Sequence, residues 1–163
     1  MNHSCTCAAI VLICLSLFGC SKSPEPIDTA ASGNRTAELW RFLNSFVGTD
    51  TVPTVAEIEE KFGKPDEPVE AESVMTMSAK KVMEQQDKLK DAPPGFRKPR
   101  YYCFTAEEVA ADAWVELVQH IYNHGAESWT RYIEICVRPA DNTVAGWEWN
   151  ENVPPGQEIG PPK

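Results

Sequence analysis

Glu116, His120 and His124 recur every four residues near the middle of the second half of the chain. On an α-helix that spacing stacks them along one face. Imidazoles one turn apart, with a carboxylate as third ligand or orienting group, can chelate a divalent metal. The competing reading is a solvated polar face whose last-turn histidines complement the helix dipole. Trp147 and Trp149 stand two apart in a strand-like segment and so project from one face, with Trp129 available on a partner strand. An open face of that kind is an aromatic shelf for a sugar ring or a protein hot spot, whereas a covered one is core. Cys103 and Cys136 either close a loop of about 33 residues, worth roughly 3 to 4 kcal/mol in the chain-entropy model, or are two small buried residues on strands that never meet. The chain has no G-x-S-x-G, H-E-x-x-H, P-loop or dinucleotide glycine pattern, and Cys103 and Cys136 lack zinc-type spacing. No residue therefore qualifies by motif as nucleophile or base, no cofactor is implied, and a non-enzymatic role is expected.

Where these residues work is set by residues 8–20, AAIVLICLSLFGC. The apolar run covers roughly 12 residues, well short of the about 20 that a membrane-spanning helix needs, and has the size of a signal peptide. Its end, Leu17-Phe18-Gly19-Cys20, resembles the lipobox of bacterial lipoproteins. That resemblance implies cleavage ahead of Cys20 and lipidation of its thiol. An ordinary secretory signal and a signal anchor are the alternatives. Two or three acyl chains, at about 0.8 kcal/mol per buried methylene, hold a protein stably on a bilayer where one chain does not. Ser21 in the place after the cysteine leans toward the outer membrane where Gram-negative sorting operates, and the expected location is the bacterial cell envelope.

The chain has 163 residues and a formal net charge of −9, none of it contributed by residues 1–19. So acidic a mature chain is a poor nucleic-acid binder. Anionic head groups repel it too, which leaves the anchoring to the acyl chains on Cys20. The expected organisation is a leader at 1–19, a lipidated cysteine and flexible linker at 20–35, one globular domain at 36–150, and a disordered proline-rich tail at 151–163.

Within the domain, Leu39, Leu43, Phe46 and Val47 predict a helix over 36–47. Thr54 and Glu57 form a capping box that opens a second short helix, ended at Gly63-Lys64-Pro65. Residues 74–89 fit a helix, although their start reads equally well as a strand. A proline and basic linker occupies 92–100, and 101–104 is a short aromatic strand. Thr105 and Glu108 form another capping box, and the apolar period from Val109 to Tyr122 predicts a long helix over 105–124. Two strands, 129–138 and 144–149, close the domain as an antiparallel hairpin.

The run T-x-x-E-I-x-x-x-F-G-K-P-D, from Thr54 to Asp66, resembles the second helix of the small outer-membrane lipoproteins of the SmpA/OmlA type. These are accessory subunits of β-barrel assembly, and their fold sets two short helices on a three-stranded antiparallel sheet. The resemblance covers about a fifth of the chain. It implies a lipid-anchored module that binds an envelope protein. The expected fold is α+β, with two or three helices on one face of a small antiparallel sheet. The rivals are a metal-binding envelope enzyme on Glu116, His120 and His124, and a glycan-binding module on Trp147 and Trp149.

Overall fold

The computed structural model describes residues 29–68, 74–90, 100–125, 127 and 129–163. The expected leader, Cys20, the linker as far as residue 28, and residues 91–99 lie outside the described residues. Among the described residues no helix is long and apolar enough to cross a membrane.

The fold is α+β. The first helix, α1 (Thr29–Asn44), starts earlier than its apolar stripe, so the expected linker gives way to helix at Thr29. Thr36 is tolerated at full burial inside it because its hydroxyl donates back to the Ser32 and Gly33 carbonyls, the local bonding available to a helical threonine. The second helix, α2 (Val55–Phe62), carries the expected capping box: the Glu57 amide donates to Thr54 Oγ1, and Glu57 Oε2 accepts from the Thr54 amide at 2.8 Å. Gly63 ends it with φ 74° but ψ 177°, an extended exit in place of the expected αL stop. After β1 (Glu67–Pro68), the ambiguous stretch resolves into both readings in turn, as β2 (Met75–Ser78) and then α3 (Ala79–Lys90). Ser78 makes the switch, accepting the Lys81 amide and donating to Asp112 at 2.7 Å.

Strand β3 (Arg100–Tyr102) leads through the Thr105–Glu108 capping box into α4, which is only Ala106–Ala110. Here the structure corrects the long helix. Asp112 takes φ 48° and breaks the run, and the chain continues as the ten-residue strand β4 (Trp114–Asn123). The pattern Leu117, Val118, Ile121, Tyr122 satisfies a helical stripe, but it also describes a strand covered on both faces, with Leu117 and Ile121 toward one and Val118 and Tyr122 toward the other. The β-branched and aromatic content decides between them. Strands β5 (Arg131–Arg138) and β6 (Thr143–Glu151) form the expected hairpin.

All pairing among the described residues is antiparallel. The order is β4-β5-β6-β3, and β1 and β2 pair successive parts of the outer side of β4. Helices α1 and α2 cover one face, where Leu39, Trp40, Leu43 and Ile58 meet Tyr122, Ile133, Ile135, Val144, Trp147 and Trp149. Each large apolar side chain buried there contributes about 1.5–3 kcal/mol. The opposite face has a smaller cluster of its own, in which Val82 and Met83 of α3 pack with Leu117, Cys136, Ala145 and Tyr102. The methionines of the 74–89 stretch are therefore core filler.

The segment 152–163 also departs from expectation, because it is held against the domain. Glu151 accepts from the Ile159 and Gly160 amides, Arg131 Nη2 donates to the Gln157 carbonyl, and Arg41 Nη1 donates to the carbonyl of Lys163 at 3.0 Å. Backbone hydrogen bonding by charged side chains replaces the apolar burial that the segment lacks.

Candidate functional site

The metal triad is dispersed. Four residues along a strand span about 13 Å, so His120 and His124 cannot share an ion, and Glu116 is exposed farther along β4 toward its start, opposite Thr76. His124 lies past the strand end, where its Nδ1 meets Thr36 Oγ1 at 2.6 Å and its ring abuts Trp149 edge-on. Burial lowers the pKa of both histidines, aided at His124 by Arg131, which favours the neutral imidazole in each. Among the described residues no group of three His, Cys, Asp or Glu side chains could hold a metal.

Nor is there an aromatic shelf. Trp147 and Trp149 do share a face, but it is the one under α1, where they are 1% and 4% exposed. Trp40 packs edge-on against Trp149, and Trp147 Nε1 donates to Asn44 Oδ1 at 3.1 Å. Trp129 is not on β5. It stands before the strand at φ 61°, a conformation that costs a bulky residue on the order of 1–2 kcal/mol. Two asparagines hold it there: Asn123 Oδ1 accepts its amide at 2.9 Å, and Asn152 Nδ2 donates to its carbonyl at 2.7 Å. Its ring is 42% exposed and rests edge-on on Tyr132.

Both cysteines are free. Cys103 packs against the cluster under α1 and α2, whereas Cys136 points into the cluster on the other face, with β6 between the two segments. Cys136 is buried on β5, whereas Cys103 is partly buried just past the end of β3, and the two segments do not meet. Burial pushes both thiols upward, so neither is a ready thiolate.

Residue typing overlooked a pair of carboxylates. Glu134 and Glu148 stand directly opposite each other on β5 and β6, 9% and 7% exposed. Alternation along the predicted hairpin already places both on the side opposite Ile133, Ile135, Trp147 and Trp149, so their pairing was legible. Glu148 is ion-paired with Arg100 and accepts from Asn150 Nδ2, while Glu134 accepts from Gln119 Nε2 at 2.6 Å. Burial, then the Glu148 charge, raises the Glu134 pKa above its ordinary 4.5. The sign follows from linkage: its contribution is full below the ordinary value and is lost as pH rises through the folded-state value. Glu134→Gln should therefore be more stable than the wild type at neutral pH, by about 0.2–1 kcal/mol for a relieved like-charge pair. Thermal unfolding followed by circular dichroism from pH 3 to 8 should show that advantage shrinking on acidification. A variant less stable at pH 7.5 would contradict it.

Two grooves lie at opposite ends of the sheet. The larger, about 550 Å³, is formed where the chain leaves α1, where β3 passes into α4, and where β5 turns into β6, and its walls include Phe46, Asp50, Phe104, Glu108, Arg138 and Asp141. Arg138 is a strut within it. Its Nε and Nη2 grip both oxygens of Glu108, and its remaining donors reach the Cys103 and Val144 carbonyls and Thr143. Burial pushes the Glu108 carboxyl up, but hydrogen bonding by Thr105 and Arg138 outweighs it and holds the group below the usual range. Asp141 is likewise held low by Thr143. The groove thus has an acidic, fixed rim beside the Phe46, Tyr102 and Phe104 rings. The smaller cleft, about 410 Å³, lies at the other end between Gly33, His124, Thr130, Arg131 and Ile159.

No family model, no curated protein and no solved structure matches this chain.

Proposed function

We propose that the protein is a lipid-anchored component of the bacterial cell envelope, fastened through Cys20, that binds another envelope protein without performing chemistry on it. The observation that carries this reading is the run 8–20, a leader too short to span and ending in Leu17-Phe18-Gly19-Cys20. The placement of α1 and α2 on antiparallel β4-β5-β6 is the arrangement that the SmpA/OmlA-like part of this reading calls for, and a site on the periplasmic face of the outer membrane belongs to the same proposal. The larger groove supports the binding part, because it opens at the end of the sheet away from the first turn of α1, where the chain comes in from Cys20.

Intact mass measurement of the membrane-extracted protein should show a chain beginning at Cys20 and carrying acyl groups. Cys20→Ala should leave the membrane fraction for the soluble one. An unmodified thiol, or an unchanged distribution of the variant, would contradict the anchoring. Isolation from gently solubilised membranes should return one reproducible partner with the wild type, and Asp50→Lys combined with Ala106→Arg in the groove wall should lose it. Absence of any reproducible partner would remove the binding role.

A further inference from the structure

The end of the sheet opposite the large groove gathers three features that no part of the core requires. The first turns of α1 are tied there, since Ser32 Oγ donates to the Asn123 carbonyl at 2.8 Å and Gly33 lies beside His124. Trp129, its ring partly exposed, stands at the same end in the connection from β4 to β5, and Ile159 of the folded-back tail, 65% exposed, lines the cleft between Gly33 and Arg131. From these positions we infer that this end of the domain rests on the bilayer, with Trp129 and Ile159 seated at the head-group level.

The inference rests on the proposed lipidation of Cys20 and adds an orientation to it. Nine chain steps separate Cys20 from Thr29, so the start of α1 stays within about 32 Å of the acylated residue in any conformation. The opposite end is farther off: β4 alone, ten residues at about 3.3 Å each, spans roughly 30 Å from Asn123 to Trp114. A tryptophan with an apolar body and a polar edge is the residue type that collects at the membrane–water boundary. Its backbone bonds to Asn123 and Asn152 hold the residue, and the edge-on contact with Tyr132 holds the ring, so little freedom is lost on docking. A net charge of −9 makes a neutral lipid surface, not an anionic one, the fitting partner.

Tryptophan emission provides the test, because Trp40, Trp147 and Trp149 are buried while Trp114 and Trp129 are exposed, near opposite ends of the sheet. The full lipidated chain is reconstituted in phosphatidylcholine vesicles containing lipid brominated near the head group. Part of the emission should be quenched in the wild type, and Trp129→Phe should abolish the quenching while Trp114→Phe leaves it intact. Independently, Ile159→Trp should add a quenched component and Val47→Trp should add none. Quenching that survives Trp129→Phe, or disappears with Trp114→Phe, overturns the orientation while the anchoring stands. Protein that fails to float with the vesicles overturns both.

Discussion

Truncating Trp147 to alanine destabilises the domain by about 3–5 kcal/mol, the range for deleting a fully buried indole. The side chain is 1% exposed, beneath α1 and against Tyr101, and its Nε1 donates to Asn44 Oδ1. Truncation opens a cavity too enclosed for the helix to collapse into, and it strands the Asn44 acceptor. Urea unfolding of the mature domain, monitored in the far ultraviolet, should show a lower midpoint with an unchanged slope. Trp129→Ala, which removes an exposed ring, should shift the midpoint far less. A loss at Trp147 no larger than at Trp129 would mean that the α1 face is not the principal core.

Gly146→Ala should cost about 1–3 kcal/mol even though it adds one methyl group, because that methyl has no room. Tyr102 lies directly opposite on β3, and a Cβ at Gly146 would stand 2.5 Å from the Tyr102 ring and 2.7 Å from the Tyr101 carbonyl oxygen. Backbone cannot give way as a flexible side chain can, so β3 must move. That motion loosens the Arg100–Glu148 pair and the bond from the Cys103 amide to the Ala145 carbonyl. Combining Gly146→Ala with Tyr102→Ala in a double-mutant cycle should give a non-additive result, since removing the ring relieves part of the clash. Additive costs would show that the ring does not oppose the added methyl.

Local chemistry was legible in the sequence and two-sided burial was not. Thr54 with Glu57 and Thr105 with Glu108 announce their helix starts because a capping box involves only four consecutive residues. The hairpin of β5 and β6 was legible for a similar reason: strict alternation of Ile133, Ile135 and Val137 flanks turn residues. Strand β4 misled because both its faces are covered from Leu117 onward, and a doubly buried strand loses the alternation that distinguishes it from a helix. That single misreading created the metal triad on Glu116, His120 and His124. The large groove had no local signature, because Phe46, Phe104 and Asp141 come from three distant segments that meet only when β3 docks on β6. The tail was read from its prolines, and the side chains that hold it, Arg41, Arg131 and Glu151, are spread over more than a hundred residues.

The hold of Arg41 on the Lys163 carbonyl brings Lys163 alongside the later turns of α1, a few residues before Phe46 in the groove wall. A fluorescent reporter or epitope attached at Lys163 would emerge there, beside the groove. Labels meant to follow the working protein belong instead on the outward side of α3, at Lys88 for example, whose side chain is exposed.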